Sequence, residues 1–109
     1  MVNLNIKPLS VNQVWQGKRF KTKLYSQYER DLLLILPKMK LPEPPYKVYY
    51  EFGFSNSASD IDNPIKPFQD VLQKKYDFND SLIHHLEVRK VKVKKGFEYI
   101  KFEIKQLNK

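Results

Sequence analysis

At 109 residues and 41% hydrophobic content, the chain is sized for one compact domain and too short to enclose a deep pocket by itself. Twenty Lys and Arg against twelve Asp and Glu give a net charge of +8, which favours a polyanionic partner, either nucleic acid or an anionic membrane surface, with nucleic acid weighed ahead of a charge that only confers solubility. The absence of cysteine excludes disulfide scaffolds, zinc fingers, iron–sulfur clusters and thiol nucleophiles, and three glycines leave no phosphate loop or dinucleotide fingerprint.

Residues 2–6 alternate and predict a strand, ended by Pro8 and Ser10. Residues 12–20 read as a loop with Trp15 and a turn at Gly17, Lys18 and Arg19. Thr22 is placed to cap a helix from about residue 23 to 36, with Leu24, Tyr28, Leu32 and Ile35 at helical spacing and Pro37 as its stop. Four prolines in residues 37–45 make an extended connector. Residues 46–54, aromatic and β-branched, predict a central strand.

A second helix is expected over about residues 64–75, with Asp62 or Asn63 as N-cap, Pro64 in its first position and Phe68, Val71 and Leu72 as its apolar face. The last third reads as a β-hairpin turning at Gly96. A switch of apolar parity predicts a bulge near residues 88–91, with Lys90, Lys92 and Lys94 facing away from Val91 and Val93. The order βαβαββ implies an α/β fold: a small mixed β-sheet with two helices and a C-terminal β-hairpin, one domain over residues 1–109.

No apolar run longer than residues 32–36 and no leader-like N-terminus are present, so a cytoplasmic protein with no membrane contact is expected. Charge is uneven along the chain: residues 1–30 and 83–109 each carry +5, while residues 31–82 carry −2. An acidic centre inside a polyanion binder calls for a reason.

Asp60-Ile61-Asp62-Asn63-Pro64-Ile65-Lys66 supplies one. In an extended segment, Asp60 and Asp62 point the same way and repel, a conflict that Mg²⁺ resolves with two carboxylates, waters and phosphate oxygens. Lys66, one turn into the helix, reaches back to hold phosphate or stabilise developing charge. Asp80, opening a strand that in this reading lies beside the one at residues 46–54, adds a third carboxylate, and together these residues at the ends of adjacent elements suit metal-assisted phosphodiester hydrolysis. The plain alternative makes Asp60 a loop residue, Asp62 a cap and Asp80 a turn residue.

Asp60-x-Asp62-Asn63-Pro64-x-Lys66, then Asp70-Val71-Leu72 and Asp80 ahead of a basic C-terminal segment, resembles the RusA family of Holliday junction resolvases. The similarity covers most of the chain, including Asn12 and the aromatic-basic stretch at residues 15–21. The resemblance implies a Mg²⁺-dependent endonuclease of recombination and repair, often carried by phages or prophages. It implies a homodimer that nicks a four-way DNA junction symmetrically, with Mn²⁺ able to replace Mg²⁺. It carries over Asp60, Asp62 and Asp80 as metal-binding catalytic carboxylates and Lys66 as the catalytic lysine. Many members have two adjacent acids where this chain has Asn79-Asp80; Asn79 is then assigned to orienting a water.

Nucleic-acid contacts are expected from Asn12, Lys18, Arg19, Lys21, Lys23, Lys90, Lys92 and Lys94, with Asn63 and Asn79 supporting the site. Asp70, four residues after Lys66 and four before Lys74, reads first as a helix-surface ion-pair partner and second as a support that orients Lys66. Trp15, Phe20 and Tyr25 are equally consistent with base stacking and with core packing. Of the adjacent His84 and His85, one is expected packed and one exposed, with no shared metal. The rival function is a non-catalytic module that binds branched or single-stranded nucleic acid.

Overall fold

A computed structural model describes residues 1–13, 15, 16 and 20–108. The elements are β1 (Val2–Leu4), β2 (Trp15–Gln16), β3 (Phe20–Lys21), α1 (Lys23–Ile35), β4 (Tyr46–Phe54), α2 (Ile65–Tyr76), β5 (Ile83–Lys92) and β6 (Tyr99–Gln106). A small α/β domain results, with two helices and a four-stranded mixed sheet ordered β1-β6-β4-β5. β4 is central, antiparallel to β6 and parallel to β5, and β2 and β3 form a separate two-stranded ribbon. Among the described residues, no helix is long and apolar enough to cross a membrane.

α1 starts where the sequence places it: the Thr22 hydroxyl accepts from the Tyr25 N–H at 3.1 Å. α2 starts differently. Pro64, not Asp62 or Asn63, holds the N-cap position, and no side chain caps it. The end of α2 is marked by Asp77 in the left-handed region, with φ of 52°.

β4 alternates so that Val48, Tyr50, Phe52 and Phe54 face the helices. Tyr25, Tyr28 and Leu32 of α1, Phe68, Val71 and Leu72 of α2, and Ile100 and Phe102 of β6 complete one core. Phe68 is its hub: its ring meets Tyr50 at 5.3 Å, Phe102 at 5.6 Å and Phe52 at 5.9 Å, all near edge-to-face.

The C-terminal strands are consecutive and opposite in direction, but they are not bonded to each other as a hairpin. β4 lies between them. Their connection, residues 93–98, is longer than a tight hairpin turn and spans the roughly 10 Å across one intervening strand. It turns through a Phe97 N–H to Lys94 carbonyl bond of 3.0 Å, with Gly96 at φ of 96°.

The expected bulge at residues 88–91 is absent, and the register break falls at His84, between Tyr46↔Ile83 and Lys47↔His85. Lys90 and Lys92 therefore sit opposite Phe52 and Phe54, on the helix-bearing face. Parity changes because the upper end of this edge strand is covered by loop carbonyls rather than by apolar side chains. His84 and His85 are both exposed, and His85 contacts Glu87 at 3.1 Å.

Among the described residues, the opposite face of the sheet carries no helix. Its charges pair across strands, Lys47 with Glu87 at 3.6 Å and Lys101 with Glu51 at 3.9 Å. Tyr49 and Tyr99 donate to the two oxygens of Glu51 at 2.6 and 2.5 Å, and these bonds hold its carboxyl below the ordinary range. Tyr99 lies flat on Gly53: a Cβ there would stand 2.4 Å from the ring, so no larger residue fits without moving it.

Candidate active site

The loop after β4 brings the chain to Asp60. Lys90 donates to the carbonyls of Ser57, at 3.2 Å, and Ser59, while Lys92 donates to that of Ser55 at 2.5 Å. The Ser55 hydroxyl bonds Glu98 at 2.7 Å. Two of the lysines expected on phosphate thus hold the loop that precedes the acidic motif. Lys94 is exposed beyond the end of β5.

Residues 61–64 form turns, not the extended segment expected. The Asn63 N–H reaches the Asp60 carbonyl and the Ile65 N–H reaches that of Asp62, each at 3.2 Å. The strict alternation that would align the two carboxylates is therefore absent. Both aspartates are exposed, and among the described residues neither makes a side-chain hydrogen bond or ion pair.

Asn63 does join distant parts of the chain. Its carbonyl accepts from the Val11 N–H at 2.8 Å, which sets the turn holding Asn12 against the acidic motif. Lys7, Ser10, Asn12, Asn56, Ser59 and Asn63 border a polar cleft of about 350 Å³ there. The Thr22 hydroxyl ties the same turn to the start of α1 through the Gln13 carbonyl at 2.5 Å. Lys21 stands over the Tyr25 ring at 4.5 Å, and Lys23 is exposed at the first position of α1. Tyr25 itself is a core residue. Lys18 and Arg19, with the side chains of Trp15 and Phe20, lie outside the described residues.

A second cluster lies along α2. Lys66 binds Asp70 at 2.9 Å and approaches Asp80 at 3.9 Å. The hydrogen bond it donates to Asp70, the largest effect, and the charges of Asp70 and Asp80 hold its ammonium above the ordinary value, against the opposing effect of burial. It therefore carries a positive charge at neutral pH. Lys74, the other helical neighbour of Asp70, pairs with Glu29 instead. Asn79 accepts from the Ser81 N–H at 2.9 Å and caps the short 3₁₀ turn that contains Asp80.

Gln69 and Gln73, which the sequence did not single out, both bind Asp80. Their signal was spacing: positions 66, 69, 70 and 73 share one helix face.

Asp60 and Asp62 have the hard oxygen donors that Mg²⁺ takes, on an exposed turn with room for waters. Asp80 does not join them. Among the described residues, no three acidic or histidine side chains are gathered to hold one ion. The expected three-carboxylate set is not among them, and the contacts of Asp80 are with α2. The sequence matches no protein-family model, and no curated protein is similar to it.

Proposed function

We propose that this protein is a Mg²⁺-dependent, structure-selective endodeoxyribonuclease that resolves Holliday junctions, as its resemblance to the RusA family implies. The observation that carries the reading is the Lys66–Asp70–Asp80 cluster at the start of α2, a few residues from the free carboxylates of Asp60 and Asp62. A permanently charged ammonium close in sequence to unengaged hard-oxygen donors is a combination suited to phosphodiester hydrolysis.

In this reading Asp60 and Asp62 are the residues that hold Mg²⁺. When bound, the ion offsets phosphate charge and lowers the pKa of a water. Lys66 stabilises charge that builds on the phosphate or leaving oxygen. Asp70 and Asp80 keep that ammonium charged and in place. Asn12 and Asn63, joined at the polar cleft, with Lys21 and Lys23 nearby in the chain, contact the DNA backbone. One subunit measures 38 × 32 × 23 Å, so cutting two strands of a branched duplex calls for a homodimer with matching two-fold symmetry.

The ungathered Asp80 favours the rival reading, a branched-DNA binder without chemistry. Asp62→Asn separates the two. The nuclease reading expects cleavage to fall by about 10²-fold or more, while junction affinity holds or rises with one repelling charge removed. Unchanged cleavage by the variant contradicts the assignment of Asp62. Binding without cutting by the unsubstituted protein supports the module.

A further inference from the structure

We propose that Gln69 is a positioning residue that fixes the Asp80 carboxylate beside Lys66, anchored in turn by Tyr50 in the core. The inference rests on the reading of Asp80 and Lys66 as site residues, and its geometry stands on its own.

The Tyr50 hydroxyl donates to Gln69 Oε1 at 2.9 Å, and Gln69 Nε2 donates to Asp80 Oδ2 at 3.3 Å. Tyr50 is fully buried, its ring against Phe52 and Phe68, so its oxygen has one position. Burial first, and the charge of Asp80 second, keep this phenol protonated far beyond neutral pH. It is therefore a reliable donor, and the Gln69 amide has one orientation that satisfies both neighbours. Turned over, its carbonyl would face the carboxylate and two acceptors would meet.

Lys66 approaches the same Oδ2 that Gln69 binds. Among the described residues, Asp80 Oδ1 accepts no hydrogen bond, which leaves that oxygen for a ligand. The backbone is held as well: the Asp80 N–H donates to Gln73 Oε1 at 2.9 Å. Three residues on one face of α2, at positions 66, 69 and 73, thus determine where a carboxylate beyond the end of that helix sits.

The test is a double-mutant cycle without metal, in chelator, using Gln69→Leu, Asp80→Ala and the pair. Positioning predicts that the Tm shifts fail to add by about 4 °C or more. In the same buffer, the Gln69 side-chain amide resonances move in Asp80→Ala and in Tyr50→Phe. Tyr50→Phe keeps the ring and serves if Gln69→Leu does not fold. On junction DNA with Mg²⁺, Gln69→Leu lowers kcat about tenfold at unchanged KM, the size of one weak charge-assisted hydrogen bond. Additive Tm shifts with unmoved amide resonances overturn the proposal, and so does an unchanged kcat in a protein that cuts. If the unsubstituted protein cuts nothing, the nuclease reading falls and the cycle alone decides whether Gln69 positions Asp80.

Discussion

Lys66→Met is expected to lower the cleavage rate of a four-way junction by about 10²–10³-fold, the cost of removing one preorganised charge from a developing oxyanion. Folding and junction affinity change little, because the side chain is 61% exposed and contributes one charge among twenty. The pH dependence gives a second signature. Asp70 and Asp80 raise the Lys66 pKa above its ordinary 10.5, so folding favours the ammonium. Its contribution is fully present below that ordinary value and is lost only as pH rises through the higher folded one. Between pH 6 and 9, then, Lys66→Met lowers the single-turnover rate by a constant factor and leaves the shape of the profile alone. A rate equal to that of the unsubstituted protein contradicts the role. So does a factor that varies across this range, which would assign Lys66 to proton transfer.

Phe68→Ala is expected to reduce the free energy of unfolding by about 3–5 kcal/mol, as removal of a buried phenylalanine commonly does. That is about a fifth or more of a typical domain's stability of about 5–15 kcal/mol. The reason is local. Phe68 is fully buried and meets three rings from β4 and β6, so its loss leaves a cavity that neither strand can fill without breaking its ladder. The consequence reaches the site, since Phe68 lies between Lys66 and Gln69 and fixes the start of α2 to the sheet. Urea unfolding measures the stability. A loss below about 1 kcal/mol contradicts the placement of Phe68 at the centre of the core.

Both expectations depend on how much of the molecule its sequence announces. α1 was legible because its signals are local: a threonine cap, an apolar stripe and a proline beyond the end. β4 was legible to the residue because an uninterrupted run of aromatic and β-branched side chains has few other uses. That β5 lies beside β4 was legible, but that β4 separates it from β6 was not. A strand's own alternation says which face is buried but not which neighbour it bonds, and the crossover through α2 set β5 parallel to β4 and left the other side to β6. The loop contacts of Lys90 and Lys92 were hidden for a related reason. Lysines alternating with valines look like a solvated face, whereas here they reach the carbonyls of a loop that was far away in sequence.

The candidate site divides in the same way. The pairing of Lys66 with Asp70 follows from helical spacing, and the structure has it. The alignment of Asp60 with Asp62 assumed an extended approach to α2, and the turns at residues 61–64 remove that assumption; Asp80 was expected beside them from the strand it precedes, and among the described residues no group of three forms. The Tyr50–Gln69–Asp80 chain was invisible because its first link joins residues nineteen positions apart and its geometry exists only once β4 and α2 have packed.

Cleavage of a synthetic four-way junction beside a linear duplex of the same sequence, with Mg²⁺ and with chelator, tests the central claim most directly. Paired symmetric nicks on the junction alone, and only with the metal, are the predicted result. Tight binding of the junction with no cutting under any divalent ion would contradict it and leave Asp60 and Asp62 as turn residues of a DNA-binding module.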